Sequence, residues 1–167
     1  MSESEKNLQA AFAGESQANR KYLAFAKKAD EDGLPGVARL FRAAAAAETV
    51  HAHNHLGVLG GIKATLENLK EAYGGEHYEF TNMYPGFLAK AKEENKGKAL
   101  QSFQWANEVE KVHGDLYQEA IKTVEGGKDI AVKDWYVCGR CGYTVAGAPP
   151  DKCPVCSAKK ELFSKVE

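Results

Sequence analysis

The feature that most constrains this chain is a pair of Glu-x-x-His motifs, each inside a stretch with clear helical periodicity. They are Glu48-x-x-His51 and Glu110-x-x-His113. Residues three apart on a helix share a face, so each motif presents a carboxylate and an imidazole together. Both motifs fall on stripes that are otherwise apolar, where a carboxylate is costly to bury unless a cation neutralises it. The pattern therefore predicts helices packed around bound metal.

Three further glutamates, Glu15, Glu76 and Glu79, also lie on apolar stripes. Glu15 precedes Glu48 by almost the same number of residues as Glu76 precedes Glu110, so the layout repeats, as in two hairpins related by a pseudo-two-fold axis. A Glu from each of two helices and Glu-x-x-His from each of the other two form a carboxylate-bridged di-iron or di-manganese site. One motif alone would be weak evidence, because chance produces many. The repeated set predicts bridging roles for Glu48 and Glu110.

Apolar spacing predicts a mainly α fold of four helices packed as a bundle. Pro85-Gly86 should kink or interrupt the third of them. The predicted helices cover residues 4–31, 35–59, 65 into the eighties, and 96–124. From about Trp135 the pattern changes to short aromatic and β-branched runs, which predicts a separate small module. The predicted domains are residues 1–130 and 131–167.

All four cysteines lie in this second module, as Cys138-x-x-Cys141 and Cys153-x-x-Cys156. Two such pairs are strong evidence for a tetrahedral four-thiolate site that holds Zn or Fe. Spacing alone does not choose between the metals, but a one-electron iron relay suits a redox-active dimetal site. Clustered cysteines also favour a reducing cytoplasm over a secreted, disulfide-bonded protein.

The bulk composition excludes several classes of protein. Of 167 residues, 44% are hydrophobic and 27% charged, and the net charge is −1. This balance gives no indication of nucleic acid or an anionic membrane as a partner. No apolar run is long enough to span a bilayer, and the N-terminus lacks the features of a signal peptide. We therefore expect a cytoplasmic globular protein.

Seven stretches of the chain together resemble the rubrerythrin family over nearly its whole length. They are Phe12–Ala18, Glu48–Ala52, Gly75–Glu79 with Met83–Pro85, Glu110–His113, and Tyr136–Tyr143 with Cys153–Cys156. The resemblance implies a ferritin-like four-helix bundle joined to a C-terminal rubredoxin-like four-cysteine domain. It implies two cofactors, a non-haem di-iron centre and a mononuclear iron-tetrathiolate centre.

The resemblance also assigns roles to individual residues. It implies that Glu48 and Glu110 bridge the irons, that Glu15 and Glu79 are terminal ligands of one iron, and that Glu76 and His113 are terminal ligands of the other. His51 is expected to replace Glu79 in the reduced state. Tyr22 and Tyr84 match family tyrosines beside the cluster. Judged by sequence position alone, each tyrosine fits equally well as a packing residue in the core of the helical bundle.

The activity implied by the resemblance is a peroxidase that reduces hydrogen peroxide to water in oxidative stress defence. Electrons would pass through the iron-tetrathiolate centre from an external donor, a rubredoxin or a flavin NAD(P)H reductase. Because the relay and the di-iron centre are expected at opposite ends of an elongated chain, we expect a head-to-tail homodimer. The alternatives are a ferroxidase or iron-handling protein, and a non-enzymatic zinc-ribbon module.

Overall fold

The computed structural model describes residues 1–166, which divide into two compact units, residues 1–63 and the residues from 64 onward. The helices are α1 (Glu3–Glu31), α2 (Pro35–Val58), α3 (Thr65–Tyr78), α4 (Tyr84–Glu93) and α5 (Gly97–Glu125). The strands are β1 (Trp135–Cys138), β2 (Thr144–Ala146) and β3 (Phe163–Val166). The predicted fold class, four helical segments followed by a small four-cysteine domain, is confirmed. The domain boundary near residue 130 stays a prediction.

The first unit is the hairpin of α1 and α2. Ser2 and Glu5 cap α1 reciprocally: the Glu5 amide donates to the Ser2 hydroxyl at 3.2 Å, and the Ser2 amide donates to the Glu5 carboxylate at 2.6 Å. Gly33, with a φ of +73°, makes the turn between the helices. The buried contact surface is lined by small residues, which let two helix backbones approach closely: Ala26, Ala29, Ala38, Ala45 and Ala52.

The third predicted helix is interrupted directly before its proline, as expected. Residues Glu79–Met83 form a π-helical turn between α3 and α4, and the amide of Tyr84 donates to the carbonyl of Glu79. Pro85 follows at the start of α4. Proline has no amide hydrogen and its ring collides with the carbonyl four residues earlier, so a widened turn before it relieves the clash. The interruption therefore lies just before Pro85 and begins at the candidate ligand Glu79.

Helix α5 packs against α3, α4 and the π-helical turn. Gly114 permits this close approach, because a Cβ atom there would lie 3.2 Å from the ring of Phe80. The rings of Tyr84 and Phe87 contact Phe103 on α5, with centroids 6.3 Å and 5.4 Å away. These contacts fix which faces of the two helical segments meet, and hence where their glutamates lie.

The C-terminal domain is a three-stranded antiparallel sheet in the order β2-β1-β3. Tyr136 pairs with Val145 on one side and with Lys165 on the other. The domain core is small: Cys138, Cys153 and Ala158 are buried, with Tyr143 and Phe163 packed against them. Across residues 1–166, no helix is long and apolar enough to cross a membrane.

Candidate metal centres

The first candidate centre lies within the α1–α2 hairpin and consists of Glu15, Glu48 and His51. Their ligand atoms all lie within 4.8 Å of one another. The Nδ1 atom of His51 is 2.8 Å from Oε2 of Glu48, as expected for residues one helical turn apart. The Glu48 side chain is only 17% exposed, whereas that of His51 is 52% exposed. This triad therefore combines a largely buried carboxylate with a more exposed imidazole.

The second candidate centre lies between α3 and α5 and consists of Glu76, Glu110 and His113, again with ligand atoms within 4.8 Å. The Nδ1 atom of His113 is 2.8 Å from Oε2 of Glu110 and 3.9 Å from Oε1 of Glu76. All three side chains are at least partly buried. The structure thus groups six of the seven predicted ligands as two triads, each within its own compact unit.

The second triad carries strong electrostatic conflict. Burial, followed by the charge of Glu110, raises the pKa of Glu76 to about 7, although His113 opposes this. Burial and Glu110 also raise the pKa of Glu79. A hydrogen bond to Glu110 raises the pKa of His113. The negative charge of Glu110 contributes to each of these shifts, and a bound metal would neutralise that charge.

Glu79 and Tyr84 lie close enough to the second triad to interact with it electrostatically. Burial, and then the negative charges of Glu79, Glu110 and Glu76, raises the pKa of the Tyr84 hydroxyl. Tyr22 lies instead in the α1–α2 hairpin, where its ring is 6.2 Å from that of Phe41. The structure therefore places Glu79 and Tyr84 beside the second triad and shows Tyr22 as part of an aromatic cluster.

The third candidate centre is the cluster of four free cysteines, whose sulfur atoms lie within 4.8 Å of one another. Cys138 and Cys156 are 3.6 Å apart, and Cys141 and Cys153 are 3.5 Å apart. A disulfide would require about 2.05 Å, whereas a tetrahedral ion with bonds of ~2.3 Å separates its thiolates by ~3.8 Å. The cluster therefore has the dimensions of a tetrathiolate site.

Two matching turns build the cysteine cluster. Gly142 and Ser157 each follow the second cysteine of a pair and have positive φ angles, +87° and +57°. Their amides donate to the carbonyls of Cys138 and Cys153, both at 2.9 Å. Burial tends to raise the pKa of the Cys138 thiol, but the backbone amides of Arg140 and Cys141 lower it to about 7. Backbone amides aimed at sulfur stabilise a thiolate, the form that binds metal.

The four-cysteine domain docks on α5 beside the second triad, a contact that the motifs alone did not reveal. The Nε2 atom of His113 is 2.9 Å from the hydroxyl oxygen of Thr144 on β2. A Cβ atom on Gly142 would lie 3.7 Å from Val109, which is 2% exposed. For this triad, the expectation that the relay lies at the opposite end of the chain is wrong. Val109 lies on α5 but off the predicted ligand stripe. Its apolar side chain was the sequence feature that indicated a second buried face on this helix.

A cavity of about 410 Å³ adjoins this contact, with Glu76 and His113 in its wall. Apolar side chains, including Leu69, Leu116 and Trp135, line much of the remainder. A small molecule in this cavity would lie against the second triad.

The donor sets fit the metals that the sequence predicts. Carboxylates with a few imidazoles suit iron or manganese, and four thiolates suit iron or zinc. The raised pKa of Glu76 in the uncompensated carboxylate cluster supports a cation at the second triad. Two carboxylate–histidine triads and one four-cysteine cluster are thus consistent with a di-iron centre and an iron-tetrathiolate centre.

These features define a class of protein, one with carboxylate–histidine metal ligands on helices and an appended four-cysteine module. Residues 6–121 match the rubrerythrin family, and residues 136–164 match the family described as rubrerythrin, rubredoxin-like domain. The chain therefore belongs to the rubrerythrin family.

Individual relatives agree over nearly the full length. Rubrerythrin-2 of Clostridium acetobutylicum is 34% identical over 170 residues, which cover 93% of this chain and 92% of the relative. Nigerythrin of Nitratidesulfovibrio vulgaris is 36% identical over 173 residues, covering 95% and 84%. The structure of fully reduced, all-ferrous nigerythrin aligns with a TM-score of 0.58 at 34% identity, covering 99% of this chain and 88% of that one.

Proposed function

We propose that the protein is a cytoplasmic non-haem di-iron peroxidase that reduces hydrogen peroxide to water. The observation that carries the proposal is the presence, in one chain, of two carboxylate–histidine triads and a four-cysteine cluster. A one-electron relay beside a two-metal site suits a reaction that consumes two electrons. The all-ferrous state of nigerythrin, a relative, supports iron as the metal.

The proposed ligand roles follow the family pattern. Glu48 and Glu110 are the bridging carboxylates, and the other ligands are terminal. A pair of ferrous ions held there supplies Lewis acidity and the two electrons that cleavage of the peroxide O–O bond requires. The overall reaction, H2O2 with two electrons and two protons giving two waters, is balanced. The terminal ligands are Glu15, Glu76, Glu79, His51 and His113. Of these, His51 alternates with Glu79.

The chain's own residues hold the reactants and their protons. Tyr84 carries a hydroxyl whose pKa is raised by burial and by Glu79, so it remains protonated and able to donate a hydrogen bond near the second triad. The mostly apolar cavity beside Glu76 and His113 is large enough for a small peroxide, and its apolar lining would disfavour bulk water. His51, more than half exposed, is free to change position.

We further propose the partners that this reaction requires. Electrons enter through the cysteine cluster from an external donor, a rubredoxin or a flavin NAD(P)H reductase, and the protein acts as a homodimer. Partly exposed Cys141 and Cys156 offer such a donor an approach to the cluster. The same free thiols support a reducing cytoplasmic location.

The test is a stopped-flow reaction of the anaerobically reduced, iron-loaded full-length protein with hydrogen peroxide, followed in parallel with oxygen. We expect each peroxide to oxidise about two ferrous ions, and peroxide to react faster than oxygen. The matched controls are Glu110→Ala, which should lose the reaction, and Glu108→Ala, an exposed residue paired with Lys111 that should keep it. Faster reaction with oxygen and accumulation of bound ferric iron would instead identify an iron-oxidising protein.

A further inference from the structure

The contact between His113 and Thr144 has a defined hydrogen-bond direction. Thr144 lies at the start of β2, and its hydroxyl oxygen is 2.9 Å from Nε2 of His113 and 3.0 Å from the carbonyl oxygen of Gly142. A carbonyl can only accept, so the single hydroxyl proton is given to Gly142. The hydroxyl lone pairs are then available to accept a proton donated by Nε2 of His113.

This direction fixes the form of the imidazole. With its proton on Nε2, a neutral His113 keeps the lone pair on Nδ1. Nδ1 is the atom that faces the other two members of the triad, 2.8 Å from Glu110 and 3.9 Å from Glu76. Thr144 therefore favours the one tautomer and ring orientation that present a ligand atom to a metal in this triad.

The anchor itself is rigid. Thr144 pairs with Val137 in the sheet, and the Gly142 amide donates to the Cys138 carbonyl at 2.9 Å. Gly142 in turn packs on Val109, which is almost completely buried in α5. The hydroxyl that His113 contacts is therefore held by the same turn that positions Cys138 and Cys141.

We propose that Thr144 is a positioning residue through which the four-cysteine domain orients the metal ligand His113 of the same chain. The inference rests on the proposed metal ligation by His113, but not on the peroxidase reaction. Partners that accept the second imidazole proton of a metal-bound histidine fix its orientation and increase its basicity. His113 is thus held at both nitrogens, whereas His51 in the other triad is 52% exposed.

The experiment uses proton NMR of the full-length protein loaded anaerobically with Fe2+ and labelled with 15N-histidine. The observed signal is the shifted Nε2–H resonance of metal-bound His113, assigned by its loss in His113→Ala. We expect slow exchange of this proton with water in the wild-type protein and in Thr144→Ser, which keeps the hydroxyl. Thr144→Val keeps the shape but removes the acceptor, so exchange should accelerate and the affinity for iron at this triad should fall about 10-fold or more.

Thr123→Val is the matched control, because the Thr123 hydroxyl donates to the carbonyl of Glu119 within α5 and belongs to neither triad. Far-ultraviolet circular dichroism, together with the red ferric-tetrathiolate absorption of an air-oxidised sample, verifies that each variant folds. Unchanged exchange in Thr144→Val would overturn the inference while leaving ligation by His113 intact. If every shifted N–H signal of the wild-type protein persists in His113→Ala, His113 does not bind the metal and both the ligation and the inference are overturned. Slow exchange without peroxide reduction would refute the proposed function but support the role of Thr144.

Discussion

The amide group of Asn19 on α1 donates a 2.9 Å hydrogen bond to the hydroxyl of Thr49 on α2. The same group donates to the carbonyl of Ala45 at 2.7 Å. Asn19 is buried, and it lies one turn from Glu15, as Thr49 lies next to Glu48. This interaction therefore sets how the two helices align at the first triad.

Replacing Asn19 with alanine should destabilise the first hairpin. The change removes both interhelical hydrogen bonds and leaves a space in a tightly packed alanine-rich contact. We expect a loss of about 1–3 kcal/mol in the free energy of unfolding, measured by urea denaturation with helical circular dichroism. Gln17→Ala, at an exposed position on the same helix, is the control. Equal stability of the two variants would show that Asn19 does not hold the helices together.

Loss of a bridging carboxylate should empty the paired sites. Glu110→Ala removes a residue proposed to hold both metals and leaves the neighbouring glutamates uncompensated. We expect iron outside the cysteine cluster to fall from about two per chain to nearly none, as measured by metal analysis. His53→Ala should retain its iron, because His53 is exposed and lies outside both triads. Equal iron contents would refute the assignment of Glu110.

The cysteine cluster should be separable from the helices. Changing both Cys141 and Cys156 to serine removes two of four thiolates, so the red ferric-tetrathiolate absorption should disappear. The far-ultraviolet circular dichroism of the helices should remain within a few per cent of wild type, because the helical packing does not depend on the thiolates. A colourless wild-type protein that contains zinc would contradict the proposed iron relay, and loss of helix in the variant would contradict independent folding.

Loss of the His51 imidazole should reduce peroxide turnover more than it reduces iron binding. A ferric ion gains more from an anionic carboxylate, and a ferrous ion accepts neutral imidazole readily. His51→Ala should therefore keep its iron in the oxidised state but reduce peroxide turnover about 10-fold or more. His53→Ala is the matched control on the same helix. Full peroxide turnover in His51→Ala would show that His51 does not need to bind iron during the reaction.

An ion pair between Asp30 on α1 and Arg42 on α2 provides a pH test. A hydrogen bond from Arg42, at 2.8 Å, lowers the pKa of Asp30 below its ordinary value of 3.8. The stabilisation is present above the unfolded pKa and is lost as the pH falls through the lower folded value. In Arg42→Met, NMR titration should show the pKa of Asp30 rise towards 3.8. An unchanged pKa would mean that the ion pair does not persist in solution.

The sequence predicts most of this molecule because its main features are periodic. Apolar spacing predicts the ends of α1, α2 and α5 to within one or two residues, and Glu48 and His51 meet because helical geometry leaves no alternative. The cysteine cluster follows from a fixed local turn. Thr144 could not be predicted as a partner of His113, because their contact depends on where one domain rests on another. The π-helical turn was missed because its hydrogen bonds respond to packing and to Pro85 together.

That π-helical turn has a consequence for how related genes can change in length. Each residue advances a helix by about 100°, so deletion of the codon for Thr81 would rotate everything downstream. The ring of Phe87, now 5.4 Å from Phe103, would turn away from α5. The loop at residues 94–96 should tolerate the deletion of one residue, because α4 ends before it and α5 begins after it, so the deletion rotates neither helix about its own axis. Inherited insertions and deletions should therefore accumulate in that loop and avoid residues 79–83, where one codon determines which surface the next helix presents.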